Sequence, residues 1–265
     1  MDSSQIVLYG VLASTIAGLA TGVGATPAVF FKRISDTTLD VLLGFAAGVM
    51  LAATSFSLIV PAIEHGNALW PRLAVGEVLL AGVFSCIVGM LIGGIFLDLA
   101  DKWLPHEHFI MGTEGPTSSL RKAWLFILAI TLHNFPEGLA VGVGFGGGDV
   151  QSGMSLAIGI GLQNMPEGMA VAVALIRERY TRGQAILIGT LTGLVEPVGG
   201  FLGAGAVSIF SPVLPFAMAF AAGAMLFVIS DEIIPETHSR GNERQATFGV
   251  LIGFLVMMSM DNIFG

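Results

Sequence analysis

The sequence His-Asn-Phe-Pro-Glu-Gly-Leu-Ala-Val at 133–141 returns thirty residues later as Gln-Asn-Met-Pro-Glu-Gly-Met-Ala-Val at 163–171. Six of the nine positions are identical, and each copy lies inside a long apolar run. On a helix, His133 and Glu137 are one turn apart and share a face, with Asn134 beside them. Gln163, Asn164 and Glu167 repeat that face in the second copy. The repeat therefore predicts two related helices that present the same polar face.

The composition indicates that these helices lie in a membrane. Hydrophobic residues make up 54% of the chain, charged residues 11%, and the mean hydropathy is +0.84, whereas a soluble domain carries about 25% charged residues. The single Cys86 excludes an internal disulfide and a thiolate cluster. A net charge of −8 makes nucleic acid an unsuitable partner. The fold class predicted is an all-α integral membrane protein whose partner is the lipid bilayer.

Each copy of the phrase places a proline directly before its glutamate. Pro136 has no N–H for the carbonyl of Leu132, and Pro166 has none for the carbonyl of Leu162. The sequence therefore predicts a kink in each helix, with a freed carbonyl near a carboxylate. Carboxylate, imidazole and amide groups that converge inside a membrane indicate a site for a divalent cation.

Apolar runs long enough to span a bilayer predict eight helices in a single polytopic domain, 1–265. They lie at about 5–31, 39–62, 73–97, 122–146, 152–176, 183–209, 213–235 and 246–263, and 98–121 is predicted to be a polar loop. With this division, ten of the eleven Lys and Arg residues fall in the odd-numbered loops. The positive-inside rule then makes those loops, including 98–121, cytoplasmic and puts both termini outside.

Three glutamates are predicted to lie at one level near the middle of the membrane. Counting about 1.5 Å per residue from the nearest turns gives Glu137, Glu167 and Glu196 this depth, and Met50 reaches a similar one. An acidic residue there costs about 2.5–3.5 kcal/mol on insertion scales. A bound cation or protonation would offset this cost. The other interpretation is that the glutamates are neutral packing residues, that the amides cap kink carbonyls, and that Met50 only packs.

The mixed donor set leaves the ion open. Zn²⁺ prefers nitrogen and sulfur ligands, whereas hard ions prefer oxygen. Zn²⁺, Cd²⁺, Fe²⁺ and Mn²⁺ all suit such a site, and the charge of three carboxylates is compatible with one ion or two.

Acidic and imidazole groups near the helix ends are candidates for an entrance and an exit for cations, although charged helix ends are commonly just solvated. On the outer side these are Glu64, His65 and Asp261. On the inner side they are Asp98, Asp231, Glu232, Glu236 and His238. The tract His106-Glu107-His108 is too short to predict a metal site, and sensing remains an open interpretation for it.

At these residues the chain resembles the ZIP (Zrt/Irt-like) family of divalent-metal transporters, in its bacterial, GufA-like branch. The resemblance covers nearly the whole chain. It implies eight helices in a 3+2+3 arrangement with an inverted repeat, a homodimer in the cell membrane, and elevator-like zinc uptake into the cytoplasm. It also implies two adjoining metal sites. One would use Met50, His133, Glu137, Gln163 and Glu167, and the other Asn134, Glu137, Asn164, Glu167 and Glu196.

The chain departs from the family pattern at two positions. Many relatives have His where Gln163 stands, and some have an acid where Asn164 stands, which weakens the preference for zinc. Among other functions, a channel-like conduit at the same site is the alternative that fits, because sequence cannot separate it from a carrier. A membrane metalloenzyme does not, because none of the five His residues belongs to a Glu-x-x-His or His-Glu-x-x-His motif. No catalytic residue and no cofactor are predicted.

Overall fold

The computed structural model describes residues 2–30, 34–70, 74–75, 78–104, 106–108, 112–114 and 122–264. Throughout these ranges the chain is mostly helical, and it includes two short hairpins. Helix α1 spans Ser3–Ala25. Its first turn is closed by a reciprocal cap, in which Asp2 accepts from the N–H of Gln5 at 2.8 Å and the Gln5 side chain accepts from the N–H of Asp2.

The next helical rod, meaning an unbroken run of helical segments, spans Asp36–Leu69. It consists of α2 (Asp36–Ala52), a π-helical segment (Ala53–Ile59) and α3 (Val60–Leu69). The N–H of Val60 bonds to the carbonyl of Ser55, five residues back. Pro61 follows, and because it has no N–H the regular α-helical ladder cannot pass through this point.

The third predicted helix starts later than the sequence suggested. Strands β1 (Ala74–Val75) and β2 (Val78–Leu79) pair antiparallel, and α4 spans Ala81–Trp103 instead of about 73–97. The prediction was wrong at its start because the run is apolar whether it forms a strand or a helix, and the β-branched Val75 and Val78 favour strand.

The predicted polar loop 98–121 is shorter than expected and partly structured. Helix α4 continues to Trp103, and β3 (His106–His108) pairs antiparallel with β4 (Gly112–Glu114). An (i, i+4) ion pair between Asp98 and Lys102, 2.7 Å long, supports the extra helical turn.

Helices α5 (Lys122–Gly144) and α6 (Val150–Arg177) carry the two copies of the repeated phrase. Each is continuous through its proline, and the kinks stay a prediction. The turn between them uses Gly148 at φ 81°, a left-handed conformation that favours glycine. Asp149 then caps α6, and the N–H of Gln151 and the hydroxyl of Ser152 donate to its carboxylate, which lowers its pKa below the ordinary value.

The remaining rods are also composite. Helices α7 (Arg182–Gly193) and α8 (Glu196–Ile209) follow each other with a break between them. Helix α9 (Leu214–Val228) continues through a second π-helical segment (Ile229–Ile233) into α10 (Ile234–Thr237). Helix α11 spans Glu243–Phe264. As in the second rod, the N–H of Ile234 bonds five residues back, to Ile229, and Pro235 comes next.

Six described segments are long and apolar enough to cross a membrane. They are Ser3–Ala28, Asp36–Leu69, Ala81–Trp103, Arg182–Ile209, Ser211–Thr237 and Glu243–Phe264. The fold is therefore that of a multi-span integral membrane protein. Helices α5 and α6, which carry the polar phrase, are not among the six, so the count of eight stays a prediction.

Close glycine contacts join the helices into groups that form two bundles. They link α1, α5, α6, α7 and α8, which form the first bundle. They also link α2 to α11, and α3 and α9 to α4. These two groups share the continuous helical segment Asp36–Leu69 and, with α10, form the second bundle. Within the first, Gly18 lies against the backbone of Gly193, and within the second, Gly48 lies against that of Val250. Among the described glycines, none approaches the main chain of the other bundle. The described glycines thus bring main chains together only within a bundle. Where such a glycine meets the other bundle, as Gly159 meets Met257, the contact is with a side chain.

Candidate metal site

Seven of the eight predicted ligands lie on the first bundle, and all eight are buried. Helix α5 supplies His133, Asn134 and Glu137, α6 supplies Gln163, Asn164 and Glu167, and α8 supplies Glu196. Met50 comes from α2 of the second bundle and is 1% exposed. Seven of the eight candidate ligands therefore lie within one bundle, and the eighth, Met50, belongs to the other.

The glycine in each copy of the phrase explains how the glutamates reach the site. Gly138 lies against the backbone of Glu196, and Gly168 lies against the carbonyl of Thr21, so a Cβ at either position would collide with main-chain atoms. Close approach at Gly138 brings the start of α8 to α5. As a result Glu196, the first residue of α8, lies within electrostatic range of Glu137, and the helix N-terminus favours its negative charge.

Asn164 connects three helices at the site. Its Nδ2 donates to Oε1 of Glu196 at 2.6 Å and to the carbonyl of Ala17 in α1 at 2.8 Å. Its Oδ1 accepts from Nε2 of Gln163 at 2.7 Å. Gln163 in turn lies beside the carboxylate of Glu137. The amide side chains hold the carboxylates in place, and several carboxylate oxygens are left without a hydrogen-bond donor.

These unused atoms are the strongest sign of a ligand. Among the described residues, no hydrogen-bond partner is found for either oxygen of Glu137 or Glu167, for Oε2 of Glu196, for Oε1 of Gln163, or for the amide group of Asn134. Burying a polar group without a partner costs about 1–3 kcal/mol, and more for a charged group. A cation among these oxygens would satisfy them together, which is the chemistry that the donor set fits.

Within the part of the chain that the structure describes, no three His, Cys, Asp or Glu side chains form a group that could hold a metal ion. An ion at this level would therefore need the amide oxygens of Asn134, Gln163 and Asn164, or the thioether of Met50, in addition to the carboxylates. Such a set imposes a less strict geometry than a rigid tetrahedral site of His and Cys.

Glu232 lies at the site and not merely at the inner helix end where the sequence put it. Its Oε2 is 2.7 Å from Nε2 of His133, and it is 3% exposed. The second π-helical segment, which the sequence analysis missed, carries this residue. The acidic pair Asp231-Glu232 inside the apolar run 213–235 was the available signal. Asp101 of α4, also buried, lies within electrostatic range of the same imidazole.

The other inner candidates form a structural network. Arg240 donates to Oδ1 of Asp40 at 2.9 Å and to Oε1 of Glu236 at 2.6 Å, and Asn242 donates to Oδ2 of Asp40 at 2.8 Å. Asp40 is fully buried, and sequence reasoning missed it. His238 lies within hydrogen-bonding distance of the carbonyl of Ile234 and of the Thr247 hydroxyl.

The last two inner candidates differ. Asp231 is exposed, and Asp98 is half-buried in its pair with Lys102. The side chains of His106, Glu107 and His108 lie outside the described residues, so sensing by that tract stays untested.

On the outer side, Asp261 accepts a hydrogen bond from Ser57 at 2.7 Å. Glu64 is exposed, and His65 lies close to Gly147 in the turn between α5 and α6. The structure thus places the outer candidates away from the buried group, at the ends of the rods that carry them.

Comparison with known proteins identifies the family of this chain. The family described as ZIP Zinc transporter matches residues 106–261. The chain is 42% identical to Zinc transporter ZIPB of Bordetella bronchiseptica, over 97% of this chain and 82% of that one. It is also 42% identical to Zinc transporter GufA of Myxococcus xanthus, over 97% and 99%. Zinc transporter ZIP11 of Homo sapiens is 35% identical, over 91% and 93%.

Proposed function

The chain belongs to the ZIP family of zinc transporters, and we propose that it carries Zn²⁺ across the cell membrane into the cytoplasm through the buried site around Glu137 and Glu167. The observation that carries the proposal is the set of buried, unpartnered oxygens on α5, α6 and α8. In this proposal the chain is a transporter and has no catalytic residue.

We infer two adjoining ions at the site. Glu137 and Glu167 stand in equivalent positions of the repeat, and each has two unused oxygens, so each can bridge. One ion takes Met50, His133 and Gln163 as its other ligands. The second takes Asn134, Asn164 and Glu196. Gln163 and the amides bring oxygen where nitrogen would favour zinc, so Cd²⁺, Fe²⁺ and Mn²⁺ are expected to compete.

The proposed topology has eight spans with both termini outside. Each of the six apolar segments counts as one span, and α5 and α6 supply the other two because packing inside the first bundle covers their polar faces. Arg177, Arg179 and Arg182 then lie on the cytoplasmic side, with Arg240 and Arg244. The three helices before and the three after α5 and α6 would form the inverted repeat. The two π-helical segments, each followed by a proline, lie at corresponding places in the second and seventh spans.

The division into two bundles favours a carrier of the elevator type over a channel. Seven of the eight predicted ligands sit on the first bundle, and main-chain contacts of the described glycines stay within each bundle. A rigid movement of the first bundle against the second would carry the ion with most of its ligands. A channel-like conduit remains the alternative, and flux that does not saturate with zinc concentration would favour it.

A homodimer is proposed from family membership. The lipid-facing side of α4 offers an apolar stripe for it, formed by Phe84, Ile87, Leu91 and Ile95. Acyl chains would cover the same stripe in a monomer, so cross-linking in membranes has to decide.

The test is uptake of radioactive zinc into proteoliposomes that contain the purified chain. Wild type should show saturable uptake, with Cd²⁺, Fe²⁺ and Mn²⁺ as competitors. Glu137→Ala should abolish uptake, and the exposed Glu178→Ala should not change it. The proposal fails if wild type shows no uptake above empty liposomes, or if Glu137→Ala transports at the wild-type rate while both proteins elute as folded particles.

A further inference from the structure

Two buried hydroxyls, those of Thr54 and Ser155, have no hydrogen-bond partner among the described residues. Each residue is 1% exposed. Helical Ser and Thr residues usually donate to a carbonyl one turn back, and Ser55, the neighbour of Thr54, does so at 2.8 Å from the carbonyl oxygen of Leu51. Leaving a buried hydroxyl unpaired is costly. Within the described part of the chain, these two polar atoms are therefore available to a ligand or to water.

Ser155 belongs to the face of α6 that points to the second bundle. Ser155, Gly159 and Gln163 follow at four-residue intervals and share this face. Gly161, on the opposite face, lies against Ala17 of α1, whereas Gly159 lies against the Sδ atom of Met257 in α11. The row therefore leads from the site ligand Gln163, past Met257, to the unpaired hydroxyl of Ser155.

Thr54 belongs to a similar row of residues on the second bundle, opposite α6. It follows Met50 by four residues and lies in the π-helical segment Ala53–Ile59, which packs against α6. Further along this segment, Ser57 donates to Asp261, and Asp261 follows Met257 by one turn of α11. With the proposed topology, α2 and α11 run outward and α6 runs inward, so all three rows lead from the site toward the outer face.

A third unpaired buried hydroxyl shows why position matters. The Oγ1 atom of Thr21 also has no partner, but Thr21 lies inside the first bundle, where Gly193 of α7 packs against it. Thr54 and Ser155 differ because they belong to elements of opposite bundles that face each other.

We propose that Thr54 and Ser155 line the outer access route to the metal site and serve as transient ligands while the ion loses water, and that Met257 plugs this route in the present conformation. The inference rests on the topology and direction of the proposed function. Neutral hydroxyls suit such a step because they bind a dication weakly enough to release it to the carboxylates beyond. Met257 suits a plug because its unbranched thioether is buried yet can adopt other rotamers.

The first test compares the rate of zinc uptake with the equilibrium affinity for zinc. Thr54→Val and Ser155→Ala should each lower the initial rate of zinc uptake into proteoliposomes by roughly three- to tenfold. Each variant loses one contact between a hydroxyl and the passing ion, and this contact is expected to lower the barrier to passage about as much as one hydrogen bond would. Equilibrium zinc affinity in detergent should stay at the wild-type value, because neither residue belongs to the site. Ser55→Ala, which removes a hydroxyl already bonded to its own helix, should transport like wild type.

The second test locates the residues on the route. In a Cys86→Ser background, Thr54→Cys and Ser155→Cys should react with a charged thiol reagent added outside, more slowly when zinc is present. Adding Met257→Ala should speed that reaction. The inference is overturned if both hydroxyl variants transport at the wild-type rate, if they lose zinc affinity in proportion to rate, or if the cysteines react only from inside. If wild type itself moves no zinc, the proposed function fails, and the labelling results still decide the route.

Discussion

The Nδ2 atom of Asn164 lies 2.6 Å from Oε1 of Glu196, and the same nitrogen is 2.8 Å from the carbonyl of Ala17. One amide thus ties α6 to α8 and to α1 at the level of the site. The contact uses one oxygen of Glu196 and leaves the other unpartnered. The amide therefore positions the carboxylate without satisfying it, which leaves capacity for an ion.

Replacing this amide should weaken both the fold and the site. Asn164→Ala leaves Oε1 of Glu196 and the carbonyl of Ala17 without their donor, at a cost on the order of 1–3 kcal/mol. The melting temperature in detergent should fall, and zinc binding should drop from two ions to one. Asn262→Ala is the control, because that exposed amide donates only to Met258 of its own helix. Unchanged stoichiometry in Asn164→Ala would contradict the role given to Asn164 as a ligand.

The unpartnered carboxylates predict that stability and zinc binding depend on Glu167 in opposite ways. Glu167 is 2% exposed, and neither of its oxygens has a hydrogen-bond partner in the described part of the chain. Glu167→Gln removes a buried charge, so the metal-free protein should melt at a higher temperature than wild type.

The same variant should lose the stabilisation by zinc. A ligand at a hundred times its dissociation constant adds about 2.7 kcal/mol, or roughly 5–10 °C for a chain of this size. Wild type should show this rise on adding zinc after chelation, and Glu167→Gln should not. The exposed Glu178→Gln is the matched control and should follow wild type in both states. An equal zinc-induced rise in Glu167→Gln would exclude this carboxylate from the site.

Gln163 should set part of the ion selectivity. Its Oε1 has no partner and is the atom that can reach an ion. A histidine there would supply nitrogen, which suits Zn²⁺ better than Mn²⁺. Gln163→His should therefore raise the ratio of initial uptake rates for Zn²⁺ over Mn²⁺. A ratio equal to that of wild type would mean that this side chain does not contact the transported ion.

Much of the site could be predicted from the sequence because it depends on local spacing. The repeated phrase puts its polar residues on one helix face regardless of tertiary detail, and Glu137, Glu167, Asn164 and Glu196 do lie together. Glu232 was assigned to the helix end because its position depends on a π-helical segment. A π turn rotates a side chain relative to the regular helix, and the sequence signals for it were Pro235 and the acidic pair Asp231-Glu232 inside an apolar run.

The start of α4 and the partners of Asp40 escaped sequence reasoning for a different reason. Apolar content does not distinguish the strands Ala74–Val75 and Val78–Leu79 from a helix, since a short apolar run is compatible with either. The contacts of Asp40 with Arg240 and Asn242 join residues about two hundred positions apart, and no local pattern carries that information.

The distribution of basic residues predicts which ends of the rods are accessible from which side. In a Cys86→Ser background, Ser3→Cys should react with a membrane-impermeant maleimide from outside, and Ser35→Cys and Thr181→Cys only from inside. All three positions are exposed, so failure to react reflects the side of the membrane and not burial. Labelling of Ser35→Cys and Thr181→Cys from outside would reverse the proposed direction of the access route as well.

An ion pair between the two bundles allows a direct test of the proposed elevator-type movement. Arg177 of α6 donates to Asp36 of α2 at 2.6 Å, so this exposed ion pair joins the bundles at the proposed cytoplasmic side. If the first bundle moves against the second, the pair must separate in every cycle. In a Cys86→Ser background, Arg177→Cys with Asp36→Cys should be joined by a short bifunctional thiol reagent, and joining should arrest zinc uptake.

The control is a pair within one bundle. Thr37 of α2 donates to Asn242, next to α11, at 2.9 Å, and both residues lie on the second bundle's side of the interface. Joining Thr37→Cys to Asn242→Cys with the same reagent should leave uptake unchanged, because these elements are expected to move together. Uptake that survives joining of positions 36 and 177 would favour a channel-like conduit with a fixed site, in which ions pass without separation of the bundles. If joining the first pair and joining the control pair both arrest uptake, the reagent is restricting local motion at the cytoplasmic ends of the helices. That result would no longer support a movement of one bundle against the other.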